Sequence, residues 1–134
     1  MSVSDDIERL LKLRTVAVVG CSPKPGRPSH QIAAYLMEVG YRVFPVNPNA
    51  SEVLGEKCYP DLASVPEPIE VVDVFRRPQE AADVVRQAIA VGAKGVWLQD
   101  GVRAPEAEAL ARSRGLTVVA DDCIMRQHLS RFGR

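Results

Sequence analysis

Five short apolar runs, rich in β-branched residues and separated by turn-forming ones, constrain this chain most strongly. The clearest is Thr15-Val16-Ala17-Val18-Val19, stopped by Gly20. It does not alternate, so a strand built from it is apolar on both faces and belongs inside a parallel sheet covered on both sides. Residues 41–46, 71–75, 95–98 and 116–120 repeat the pattern. Between them the period becomes helical. Pro78 with Gln79 and Glu80 opens a helix whose Val85, Ala88 and Ile89 share a face and which Gly92 ends. Pro105 with Glu106 opens another, running to Gly115 with Arg112 and Arg114 at its negative end. A third spans about 29–40, with Ile32 and Leu36 one turn apart. Residues 1–14 predict a short helix capped by Ser4, with Asp5 and Asp6 at its positive end and Ile7, Leu10 and Leu11 on its apolar stripe. Residues 121–134 are expected to form a C-terminal tail. The alternation implies an α/β fold, a doubly wound parallel sheet of about five strands between two layers of helices.

A length of 134 residues fits one domain, 1–134, and 46% hydrophobic content supplies its core. With 17 Lys+Arg against 17 Asp+Glu the formal charge is zero, so no global basic field holds nucleic acid or an anionic membrane. No apolar stretch reaches the roughly 18 residues of a membrane span, and SVSDDIER after Met1 is not a secretory leader. Cys21, Cys58 and Cys123 are odd in number and lack CxxC spacing, which indicates free thiols and excludes a disulfide framework or zinc knuckle. A soluble protein of the cytoplasm is expected.

In open α/β sheets ligands lie beyond the carboxyl ends of the strands, so the residues directly after each strand carry the functional information. After the first come Gly20 to Ser29, with Ser22, Lys24 and Arg27; after the second, Asn47-Pro48; after the third, Arg76-Arg77-Pro78; after the fourth, Gln99-Asp100-Gly101. The first segment leads into a helix N-terminus, where backbone N–H groups and the dipole favour an anion. It is neither the dinucleotide fingerprint G-x-G-x-x-G nor a P-loop, and a purely structural turn is an equal reading of it. Val46-Asn47-Pro48 lacks the carboxylate that holds the ribose of a nicotinamide cofactor. Arg76 and Arg77 read either as a phosphate clamp or as a solvated pair before a helix. Together with Lys24 and Arg27 they put four cations on one edge, and that convergence favours a phosphate-rich ligand. Residues 47–70, rich in Pro, Asn, Ser and Gly, predict an irregular crossover with a helical turn around 61–64 and a binding edge.

The segments VAVVGCSPKPGRPSH, YRVFPVNPNASEVLGEKCYPDLASVPEP, VVDVFRRPQE and GAKGVWLQDGV resemble, in order and spacing, the small stand-alone CoA-binding proteins. Those are Rossmann-like domains similar to the CoA-binding domain of the succinyl-CoA synthetase α subunit and of ADP-forming acyl-CoA synthetases. The resemblance implies coenzyme A or acyl-CoA as ligand, its ADP moiety lying across the strand ends. It places Gly20, Ser22 and Lys24 at the phosphates, Asn47 and Pro48 beside the nucleotide, Phe75, Arg76 and Arg77 around the adenine and phosphates, and Gln99 on the pantetheine side. Two departures stand out: Cys21, where the family commonly has alanine, and Asp121-Asp122-Cys123 with Gln127-His128, where it more often has Asp-Arg-Cys and Glu-His.

The related synthetases phosphorylate a histidine of a further domain, and this chain offers only His30, expected in a loop or cap, and His128, expected to face solvent. No Ser/His/Asp or Cys/His/Asn arrangement assembles from the sequence. The expectation is therefore non-catalytic binding of CoA, as a carrier, sensor or partner in acyl-CoA metabolism. The alternatives are a small NAD(P)-binding reductase and a protein-interaction module with a vestigial nucleotide site. Cys21, placed at a helix N-terminus beside Lys24 and Arg27, is a candidate redox thiol with a lowered pKa, able to form a mixed disulfide with CoA, against a plain turn-filling role. Cys58 and Cys123 are expected to be structural, and Trp97 to belong to the core.

Overall fold

The computed structural model describes residues 2–133; Met1 and Arg134, the outer ends of the expected helix and tail, lie outside the described residues. The chain runs α1 (Val3–Leu11), β1 (Thr15–Val19), α2 (Pro28–Glu38), β2 (Arg42–Val46), β3 (Glu52–Val53), β4 (Glu56–Lys57), a 3-10 turn (Leu62–Ser64), β5 (Val71–Val74), α3 (Pro78–Ala90), β6 (Gly95–Leu98), α4 (Pro105–Ser113), β7 (Thr117–Val119) and α5 (Ile124–Phe132). Five strands form one sheet in the order β2-β1-β5-β6-β7, and every neighbouring pair is parallel. The apolar runs become these strands, each buried on both sides as continuous hydrophobicity demands.

Alternation along the strands divides the core into two layers. Val16 and Val18 of β1, Val71 of β5 and Trp97 of β6 pack with Leu10 of α1, Leu36 of α2 and Ile124 of α5. Ala17 and Val19, Val72 and Val74, and Val96 and Leu98 pack on the opposite face, against Val85 and Ala88 of α3 and Ala107 and Ala111 of α4. This is the three-layer α/β architecture of a Rossmann-like fold. Pro45 interrupts β2 at little cost because β2 is an edge strand: the Pro45 carbonyl accepts from the Tyr59 amide, and Val46 and Tyr59 form a parallel bridge.

Three expectations change. Ser2, not Ser4, caps α1: its Oγ accepts from the Asp5 amide at 3.1 Å while Asp5 accepts from the Ser2 amide at 3.3 Å. The carboxylate three residues on selects Ser2, because only that spacing closes a capping box. The stretch 121–134 is not a tail; it contains α5, anchored by Ile124 and Cys123. The crossover 47–70 holds, besides the expected helical turn, the antiparallel hairpin β3-β4, turned by Leu54 and Gly55 at φ 54° and 77°. A two-residue strand has too few positions to show alternation, and leucine is an unusual residue where φ must be positive.

Candidate functional site

The chain leaves β1 toward β2 on one side and later returns to β5 on the other, so the loops diverge at their shared carboxyl end and open a crevice. A cleft of about 720 Å³ lies there, within the range of about 300–1,000 Å³ usual for small-molecule sites. Gly20, Ser22, Arg27, Asn47, Phe75, Arg76, Arg77 and Gln99 all line it. Lys24 and Pro48 do not; both are exposed and stand outside its wall. The cleft also takes in Pro28, Ser29, Pro78 and Asp100 of the same post-strand segments, and Cys123, which those segments do not include.

Gly20 makes the floor possible. Its φ is 87°, and a Cβ there would sit 2.1 Å from the Phe75 carbonyl oxygen, so only glycine lets the β1 and β5 loops approach this closely. Asn47 is spent on architecture: its Nδ2 donates to the Cys21 carbonyl at 2.9 Å and its Oδ1 accepts from the Asn49 amide at 2.9 Å. Ser22 is tied similarly, its amide donating to Ser29 Oγ at 2.9 Å and its Oγ accepting from the Lys24 amide at 3.1 Å.

Three helices begin at this cleft, and none has a side-chain cap. The N-cap positions of α2, α3 and α5 are Arg27, Arg77 and Cys123, and proline follows in the first two. Helix starts favour Ser, Thr, Asp or Asn, whose oxygens satisfy the free amides, and a cation at the positive end of the dipole is unfavourable. Arg27-Pro28 and Arg77-Pro78 break both rules, leaving uncapped amides beside guanidinium groups, which is the electrostatic requirement for holding an anion. Arg77 is exposed and pairs with Glu80 at 3.3 Å; among the described residues Arg27 and Arg76 have no carboxylate partner.

Beneath the cleft lies a carboxylate the sequence reading passed over. Asp73, in the middle of β5, is fully buried and takes a hydrogen bond from Gln99 Nε2 at 2.5 Å, while its Oδ2 has no partner among the described residues. Burial pushes its pKa up to about 8, against the smaller downward pull of the Gln99 bond. The signal was one charged residue inside the otherwise apolar Val71-Val72-Asp73-Val74-Phe75. At the rim Asp100 is gripped by Arg126 of α5 through two bonds of 2.9 and 3.0 Å, which lowers the Asp100 pKa.

Cys21 does not have the expected environment. Its side chain is fully buried and its pKa is pushed up to about 12, chiefly by burial and then by Cys58 and Asp73. The turn at Gly20 directs the thiol into the core, and α2 starts only at Pro28, so no helix end lowers its pKa. Cys58 and Cys123 are also buried and unpaired. His128 is not solvent-facing: its Nδ1 lies 2.5 Å from Tyr35 Oη, its ring packs against Tyr35, Tyr41 and Phe132, and burial lowers its pKa. His30 sits in the first turn of α2, neither in a loop nor at the cap. Trp97 is fully buried in the core, its Nε1 donating to the Asp122 carbonyl at 3.0 Å. No helix among the described residues is long and apolar enough to cross a membrane.

Residues 14–128 match the family model described as CoA binding domain. The chain is 36% identical over 121 residues to the uncharacterised protein YneT of Bacillus subtilis, covering 90% of each. A solved structure of a hypothetical protein from Pyrococcus horikoshii superimposes with a TM-score of 0.91 at 45% identity, over 97% of this chain and 92% of that one. An ADP-forming acetate–CoA ligase of Archaeoglobus fulgidus is 30% identical over 92 residues, which cover 67% of this chain and 14% of the ligase. With the match running over most of its length, this chain belongs to the CoA-binding domain family.

Proposed function

We propose that the protein binds coenzyme A or an acyl-CoA in the cleft at the carboxyl ends of β1, β5 and β6, as a carrier, sensor or partner in acyl-CoA metabolism, without a bond-making step of its own. The observation that carries this reading is the pair of Arg-Pro helix starts, α2 and α3, opening uncapped on one cleft. CoA brings a pyrophosphate and a 3′-phosphate, which need amides and cations, and an adenine, which needs an apolar wall. Arg27, Arg76, Arg77 and the amides of α2 and α3 would meet the phosphates, and Phe75 would flank the base. Ser22 and Gly20 would border the phosphates, Asn47 would shape the nucleotide end through the loop it ties, and Gln99 would meet the pantetheine arm. Lys24 and Pro48, outside the wall, are assigned a lesser part as flanking contacts.

Absence of catalysis is proposed because, among the described residues, the Cys21 thiol is buried with a raised pKa and both histidines, His30 and His128, lie outside the wall. Thermal denaturation with CoA, dephospho-CoA, acetyl-CoA, NAD and NADP tests the ligand, since a ligand that binds only the folded state raises its stability by mass action. CoA should stabilise more than dephospho-CoA. Arg76→Ala and Arg77→Ala should each weaken CoA binding by about tenfold or more, the value of a charge-assisted hydrogen bond, while shifting the melting temperature little. A response to NAD or NADP without one to CoA overturns the assignment, and unchanged CoA affinity in both variants removes the arginines from it.

A further inference from the structure

The contact between Asp73 and Gln99 has a length that bears on its chemistry. Their heavy atoms lie 2.5 Å apart, short for an N–H···O bond, which spans roughly 2.7–3.2 Å, and at the short end of the O–H···O range. A half turn of the Gln99 amide exchanges its oxygen and nitrogen, after which a protonated Asp73 donates to Gln99 Oε1. That arrangement also treats the orphan oxygen better. A buried carboxylate with Oδ2 unpartnered strands a charge, whereas the neutral acid strands only a carbonyl lone pair. Among the described residues the other end of the Gln99 amide has no hydrogen-bond partner and is not a buried orphan, and Gln99 lines the cleft, so that end opens on the cleft.

We infer that Asp73 is a positioning residue: as a neutral acid it turns Gln99 so that the amide N–H₂ faces the cleft and donates to a carbonyl of the bound thioester or pantetheine arm, and as a carboxylate it reverses the amide and withdraws that donor. This deepens the CoA reading and rests on it for the identity of the ligand. Gln99 then sets which hydrogen-bonding group of the ligand is accepted, and Asp73 sets Gln99. Ionisation releases the Asp73 proton to solvent and breaks no other bond.

The titratable and charged groups around the pair come from every neighbouring element. Cys21 follows β1 and interacts with Asp73 and with Cys58 of the crossover; both thiols are kept neutral by raised pKa values. The cleft above carries Arg27 at the start of α2, Arg76 and Arg77 after β5, Asp100 after β6 and Cys123 at the start of α5. Burial is the largest influence on the Asp73 pKa, and the Gln99 bond opposes it.

Acetyl-CoA, which has no free thiol to titrate, is the probe. Its affinity for the unmodified protein should weaken about fivefold, the worth of one net hydrogen bond, as pH rises from well below to well above about 8. Asp73→Asn, whose amide cannot ionise and so keeps one pairing with Gln99 at every pH, should bind acetyl-CoA with an affinity that does not change over this range. Gln99→Leu should bind weakly with no such slope. A slope retained in Asp73→Asn, or absent from the unmodified protein, overturns the inference. In ligand-free protein the Gln99 side-chain amide resonances should shift over the same pH range and stay still in Asp73→Asn. If acetyl-CoA binds at no pH, the CoA assignment falls, and the ligand-free titration decides the coupling: Gln99 resonances that do not move overturn it.

Discussion

Gly20 carries two demands that coincide only at the switch point of the sheet: a φ of 87° and a carbonyl oxygen where a Cβ would otherwise sit. Gly20→Ala should therefore cost about 2 kcal/mol or more, from backbone strain and overpacking together. Gly92, with a similar φ of 76° and open space around it, should lose only about 1 kcal/mol on the same change. Urea midpoints of the two variants check this, and equal losses would show that the approach of the two loops is not what requires glycine. Arg27 and Arg77 illustrate the converse. Each is a poor choice for its own helix, and a locally unfavourable residue retained beside a cleft points to function. Both arginines were legible as cations on one edge of the sheet; that each holds an N-cap position without a side-chain cap was not, because cap geometry depends on backbone angles that the residue types alone do not set.

At the scale of elements, α5 is the instructive case. Ile124, Met125, His128, Leu129 and Phe132 recur at helical spacing, so the signal was present. It was masked because the helix has no recognisable start: Cys123 holds the N-cap without a side-chain bond, and Asp121 turns the chain at φ 55°. Since Ile124 is almost completely buried against the sheet, Ile124→Ala should destabilise the protein by about 2–5 kcal/mol with an unchanged urea m-value. A loss within a few tenths of a kcal/mol would return this stretch to the status of a tail. α2 and α3 were legible in the sequence because Pro28 and Pro78 mark their first turns. The hairpin β3-β4 was not, since the tertiary bridge from Tyr59 to Val46 and the burial of Val53 hold it in place, not its local pattern.

For the whole molecule, two carboxylates give stability opposite dependences on pH. Glu70 accepts from the Arg14 and Thr15 amides and the Thr15 hydroxyl, and contacts Lys94 at 3.3 Å, which together hold its pKa at about 2. Its folded pKa lies below the unfolded value, so its contribution is present above about pH 4.5 and is lost as pH falls through about 2. Asp73 has the reverse shift. With a folded pKa of about 8 against an ordinary 3.8, its contribution is full below about 4 and is lost as pH rises through 8. Urea unfolding across pH should accordingly show Glu70→Gln losing the acid limb and Asp73→Asn losing the decline toward alkaline pH; unchanged profiles would contradict these assignments.

The amino-acid sequence by itself determined the class of fold, the strands β1, β5 and β6, and the edge on which cations collect, because hydrophobic period, proline and glycine act over a few residues and leave their mark there. What only the tertiary structure decided is which of those residues share a cleft and in what state. Lys24 falls outside the wall and Arg27 inside it although both lie in one loop, Cys21 turns into the core and keeps its proton, and Asp73 meets Gln99 across two neighbouring strands. Burial, and with it the cost of charge, depends on contacts between residues distant in the chain, and no window along the sequence contains both partners.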